Sequence, residues 1–235
     1  MNSFLSNPEI STIAYTRTND ISFQYDGDLM DSFESEVGTP QGKHNLVLFH
    51  LMGQHIMAAE RYPNDAFSYF TADSVRNNFP FINQQKREYI AHYDNATRYN
   101  DYILDRIISM FEDENTLLLY FSDHGDEVYD YRDRAGRQYG VLTSDLLKYQ
   151  YDVPFMIWCS VTFQDKYPET VHKIKNAVKH PFMTDNVCNL LFGVAGVQTP
   201  YYRDTLDLLS PMYKCNERII NQKYRYEDIR YSLSE

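Results

Sequence analysis

Apolar and polar residues alternate along this chain with two different periods. Between residues 83 and 113 the apolar positions Tyr89, Ile90, Tyr93, Ala96, Tyr99, Ile103, Leu104, Ile107, Ile108 and Phe111 recur at helical spacing, with polar residues on the other face. That pattern predicts a long amphipathic helix. Residues 45–51 (NLVLFHL) and 117–121 (LLLYF) are apolar on both alternate faces and predict strands buried on both sides. A strand, a long helix and a second strand make a βαβ crossover, which implies parallel pairing and a right-handed connection. The carboxyl ends of both strands then share one edge of the sheet.

The rest of the chain is patterned more weakly. A third strand is expected at residues 153–160, after a loop at 129–151 that reads as a long surface excursion. Residues 184–194 predict a helix with Thr184 and Asp185 as caps and Val187, Leu190 and Leu191 on one face. Residues 1–43 predict a peripheral strand or hairpin, a short helix near residues 29–33 and a loop at 38–42. Beyond residue 211, Lys214, Arg218, Lys223, Arg225 and Arg230 stand among tyrosines and acids, as in a solvated tail (212–235). No repeat and no Gly-rich phosphate loop is present, so residues 1–235 read as a single domain.

Composition sets the limits of this picture. With 235 residues, 43% of them apolar, and 21 Tyr and 14 Phe, the chain can bury a sizeable core. A formal net charge of -11 argues against a nucleic-acid partner and against a polybasic membrane anchor. No apolar stretch approaches the roughly 20 residues that span a bilayer. The opening MNSFLSNPEIST lacks the basic and apolar regions of a signal peptide, so the chain as written reads as soluble. Cys159, Cys188 and Cys215 follow no zinc-finger spacing; Cys159 and Cys188 lie in apolar patterns that predict buried, inert thiols.

Chemistry concentrates where the two apolar runs stop. The second gives way to Ser122-Asp123-His124-Gly125-Asp126-Glu127, and the first to His50-Leu51-Met52-Gly53-Gln54-His55. Open α/β sheets bind ligands at the carboxyl ends of their strands, and an adjacent Asp and His offer one oxygen and one nitrogen to a metal such as zinc. The alternative is a strand-to-loop turn in which Asp123 caps the next segment and His124 is merely exposed. Asp126 and Glu127 either orient His124 or are ordinary exposed acids. Gly53 and Gly125 permit backbone turns that a side chain would hinder.

The segments HxMGxH (50–55), YDNxxxYxDxxL (93–104) and SDHG (122–125), with DVPFMIW (152–158) beyond them, occur in an order and spacing that resemble the catalytic domain of bacterial phosphoethanolamine transferases. These enzymes modify lipid A and lipopolysaccharide core and belong to the alkaline phosphatase and sulfatase superfamily. The resemblance spans residues 44–195 and implies an α/β fold, a three-layer α/β/α sandwich with a mainly parallel sheet. It implies zinc as cofactor, with Asp123 and His124 as metal ligands. His55 falls on a histidine that contacts the phosphoethanolamine phosphate or a second zinc. His50 is either a substrate contact or a histidine satisfied at a strand end. Asp94, Asn95 and Asp101 would serve the fold. The implied partners are phosphatidylethanolamine and lipopolysaccharide or lipid A, and the implied location is the periplasmic face of the bacterial inner membrane.

The implied reaction is a two-step transfer through a metal-activated threonine. In the family that threonine and an acidic zinc ligand lie well upstream of HxMGxH. Thr12, Thr16, Thr18 and Thr39 precede it here, and none has a matching context. Asp123 and His124 are thus two ligands, where catalytic zinc sites usually have three plus an open position. No histidine follows His124 before His172, which leaves Arg132, Arg134 and Arg137 to meet an anion or to face solvent. No Cys or Ser stands in the Cys/Ser-x-Pro-x-Arg setting of a formylglycine nucleophile. The expectation is part of a phosphoethanolamine-transferase-like enzyme. The alternatives are an inactive domain that binds an anionic ligand or partner, and a phosphohydrolase of the same superfamily.

Overall fold

The computed structural model describes residues 24–36, 44–76, 79–137 and 140–231, and it divides the chain into two compact units, Met1–Ser109 and Met110–Glu235. The expected hairpin before residue 24, the loop at 38–42 and the threonines 12, 16, 18 and 39 lie outside the described residues.

The first unit is built from helices. Helix α1, Asp26–Glu36, carries Asp26 and Asp28 in its first turn, where carboxylates complement the helix dipole. It buries Met30 and Phe33. A short helix α2, Asn64–Phe67, precedes the long α3, Gln84–Phe111. Asn83 caps α3 by accepting the Lys86 N–H at 3.0 Å. The core stripe of α3 runs through Ala96, Tyr99, Ile103 and Ile107, steps of three and four residues that place all of them on one face. Asn95, beside that stripe, is buried with every amide group used. Its oxygen accepts the N–H of Tyr69 and Phe70, and its nitrogen donates to Tyr62 Oη and the Phe70 carbonyl. Asn95 therefore ties the 62–70 segment to the helix, a role in the fold.

Residues 45–50, expected as a strand, are extended but belong to no sheet among the described residues. Leu46 and Leu48 are 80% and 72% exposed. An apolar run becomes a strand only when a neighbouring strand takes up its N–H and C=O groups. The sheets among the described residues are all antiparallel pairs.

In the second unit β1, Leu117–Phe121, is followed by the two-residue strands β2, Glu127–Val128, and β3, Ala135–Gly136. After them come α4, Ser144–Gln150, and β4, Phe155–Cys159. β1 pairs with β4 antiparallel, Leu117 opposite Cys159 and Phe121 opposite Phe155. Helices α5, Val161–Lys166, α6, Pro168–Ala177, and α7, Val187–Ala195, complete the layer, and Gly196 in the left-handed region (φ 65°) ends α7. Leu119, Phe155 and Ile157 pack on a core of Ala177, Leu190, Leu208 and Leu209.

Three expectations are corrected here. The 129–151 excursion contains α4, whose Leu146 and Leu147 are buried, because Thr143 caps it by accepting the Leu146 N–H at 3.2 Å. Residues 219–230 are not a solvated tail. Strands β5, Ile219–Ile220, and β6, Tyr224–Arg225, lead into α8, Tyr226–Arg230, and Ile220 and Tyr226 share a buried cluster with Leu146 and Leu147. Asp152 locks that contact by accepting from Tyr226 Oη and, at 3.0 Å, from Arg230 Nε. Cys188 is exposed, since α7 turns it about 200° away from the buried Leu190 face. Cys159 is half-buried, which pushes its thiol up.

Candidate metal centre

The SDHG turn leaves β1 under tight backbone control. Ser122 N–H still donates across the sheet to the Pro154 carbonyl at 3.4 Å, and Ser122 Oγ donates to the His124 carbonyl at 2.7 Å. Asp123 Oδ1 accepts the His124 N–H at 2.9 Å. The Gly125 N–H then reaches the Gln150 carbonyl at 3.0 Å, at the end of α4. Here glycine is required. A Cβ on residue 125 would sit 2.2 Å from the Tyr149 carbonyl oxygen.

His124 Nδ1 lies 3.0 Å from the Gly125 carbonyl. A carbonyl only accepts, so Nδ1 is the donor here, the tautomer that leaves the lone pair at Nε2. Metal-binding histidines commonly donate their other N–H to a backbone carbonyl in this way. Asp123 Oδ1 is 3.9 Å from Nε2, less than two zinc bond lengths of about 2.1 Å each, so one cation can touch both atoms. The Asp123 side chain is 83% exposed and that of His124 25%, which keeps the pair accessible from solvent. Both donors suit zinc chemically. Among the described residues no group of three or more His, Cys, Asp or Glu is placed to hold a metal ion.

The two acids after His124 behave differently. Asp126 Oδ1 is 3.9 Å from His124 Nδ1. Glu127 is fully buried, with Arg132 Nε at 2.7 Å and Gln150 Nε2 at 2.7 Å from its carboxylate. Burial alone would raise its pKa, but Arg132 and Gln150 hold the carboxyl below the usual range. Arg132 is thereby engaged with Glu127. Arg134 and Arg137 are exposed.

The HxMGxH loop belongs to the first unit and the SDHG turn to the second. His50 and His55 are both exposed. The loop between them is anchored by buried Asp26, whose carboxylate accepts the N–H of Met52 at 2.9 Å and of Gly53 at 2.9 Å. Gly53 takes φ 50°, the left-handed turn that glycine makes without steric penalty. Behind Asp26, Tyr99 Oη accepts the Gly27 N–H at 2.9 Å, and burial pushes Tyr99 up to about 12. Asp26 and Gln150 are the supporting residues that sequence patterning missed. The only signal for Asp26 was its place at the start of a short acidic helix.

A family model described as Sulfatase matches residues 1–194. The chain belongs to the sulfatase family. Within that family it is 28% identical over 204 residues to phosphoethanolamine transferase EptC of Escherichia coli O18:K1:H7, covering 86% of this chain and 34% of the relative. The chain thus spans about a third of the length of the curated relatives it matches. Among solved structures, the C-terminal periplasmic domain of E. coli EptC superposes with a TM-score of 0.73 at 27% identity, covering 88% of this chain and 59% of that domain. The same domain in complex with Zn gives 0.72 at 26% identity, with 94% and 60% covered. The sulfatase-family chain therefore has the α/β class expected of it, and its extended 45–50 segment and antiparallel β1–β4 pair are features of the described residues.

Proposed function

We propose that this chain carries the SDHG side of a zinc-dependent phosphoethanolamine transferase, which moves the headgroup of phosphatidylethanolamine to lipid A or lipopolysaccharide core. The observation that carries the reading is the Asp123–His124 pair, held at a strand end with Nε2 and Oδ1 3.9 Å apart and His124 Nδ1 fixed on the Gly125 carbonyl. Similarity to EptC, and to its periplasmic domain solved with Zn, supports both the reaction class and the metal. It also supports a place at the periplasmic face of the inner membrane, while no helix among the described residues is long and apolar enough to cross a bilayer.

Zinc, when bound, lowers the pKa of an attacking hydroxyl and stabilises charge on the phosphoryl oxygens. The residues of this chain bind and orient: Asp123 and His124 hold the ion, and His55, with His50, meets the phosphate. The nucleophile is assigned to none of its threonines.

The test is zinc titration of the isolated chain against a chromogenic chelator, with phosphoethanolamine release from phosphatidylethanolamine followed in parallel. Weak zinc binding is expected, lost in Asp123→Ala with His124→Ala, and no turnover. Tight stoichiometric zinc unaffected by these changes, or turnover surviving loss of Asp123, would refute the reading. Since the described residues hold no third metal donor, a second reading stands beside it, an inactive domain that binds an anionic ligand without zinc.

A further inference from the structure

Glu127 is a carboxylate with no exposed surface, three residues past His124. Its two oxygens are used by Arg132 and Gln150: Arg132 Nη2 and Gln150 Nε2 lie 2.5 and 2.7 Å from Oε1, and Arg132 Nε lies 2.7 Å from Oε2. It is therefore not placed as a metal ligand. Gln150 is itself buried and engaged at both ends. Its side chain donates to Glu127, and its backbone carbonyl, one of those that a helix end leaves unmatched, accepts from Gly125 N–H at 3.0 Å. The Gly125 carbonyl in turn receives His124 Nδ1–H at 3.0 Å. Three consecutive hydrogen bonds thus lead from Glu127 to the imidazole.

We propose that Glu127 is a positioning residue for His124, acting through Gln150 and Gly125. The proposal rests on the reading of His124 as a metal ligand and extends it to the groups that set the ring. A buried ion pair gains little net stability, because the desolvation of its charges offsets most of the attraction. What it supplies here is direction. With Arg132 neutralising the charge, Glu127 aims the Gln150 amide, Gln150 fixes the height of Gly125 over the end of α4, and the Gly125 carbonyl selects the His124 tautomer that leaves Nε2 free. The close approach of Gly125 to the Tyr149 carbonyl removes the slack from the middle link.

The experiment uses the full chain labelled with 15N, reading the His124 ring nitrogens by NMR and zinc affinity by chelator competition, at a temperature well below unfolding. The Nδ1–H tautomer is expected in the wild-type chain. Glu127→Ala and the milder Gln150→Met are expected to give mixed tautomers and about a 10- to 100-fold loss of zinc affinity. The double variant Glu127→Gln/Arg132→Gln keeps an acceptor for Gln150 without buried charge and is expected to retain the wild-type tautomer. Should Glu127→Ala fail to fold, Gln150→Met decides. If both variants lower the melting temperature yet leave tautomer and affinity unchanged, Glu127 is only structural and the proposal is overturned; mixed tautomers in the double variant overturn the hydrogen-bonded route. Absence of zinc binding at Asp123 and His124 in the wild-type chain refutes the metal reading instead, and the ring tautomer alone then judges Glu127.

Discussion

Two loops of this chain follow apolar runs and carry histidines, yet they are held by different means. The SDHG turn continues a paired strand and is clamped through main-chain groups: Ser122 to Pro154, Gly125 to Gln150, His124 to Gly125. The HxMGxH loop follows a run that joins no sheet among the described residues and is held by a buried side chain, Asp26, accepting two N–H groups. A paired strand delivers its end residues to a defined place, so a short turn is enough to orient a ring. A run outside any sheet sets no such frame, and a carboxylate reaching in from a helix takes part in the placing.

The contrast breaks first at Gly125. Gly125→Ala would drive a methyl into the Tyr149 carbonyl, and the expected loss is about 2–3 kcal/mol in chemical denaturation, together with displacement of the His124 ring. At the other loop, Asp26→Ala strips two amides of their acceptor. A loss of about 1–2 kcal/mol is expected, with hydrogen exchange rising at Met52 and Gly53; unchanged exchange there would show that Asp26 does not hold the loop. The smallest effect is on acid stability. Glu127 has a folded pKa below its ordinary value of 4.5, so its contribution is complete above that value and is lost as pH falls through the lowered one. Glu127→Gln should flatten the acid limb of the stability curve, and a limb of unchanged slope would assign acid unfolding to other carboxylates.

What could be read from the sequence divides along the same line. The long helix was legible because 28 residues repeat its period over several turns, and the Asp123–His124 pair because it interrupts an apolar run that forms a strand. The run at 45–51 has the same local pattern, but pairing depends on a neighbour that no local pattern contains. Helix α4, only seven residues long, and the packing of Tyr226 on Leu146 and Leu147 gave too few turns of periodicity to stand out. Glu127 could be read either as a partner of His124 or as an exposed acid, because charged residues are rarely buried and only the contact with Arg132 makes its burial tolerable. Asp123 and His124 were legible as candidate chemistry, while Gln150 was not, because it lies 25 positions beyond the glycine whose N–H it accepts.

Asp152 reaches Tyr226 and Arg230 across 74 and 78 positions of chain. On the ribosome, α4 therefore waits for nearly the whole of the second unit to emerge before its outer face is covered, and contacts of such separation form late because loop closure must come first. The helix end that receives Gly125 matures after the strand that carries it. Nascent chains halted before Tyr226 would display SDHG on a finished strand with its footing still loose, and the turn gains its final placement only once residues 226–230 have emerged.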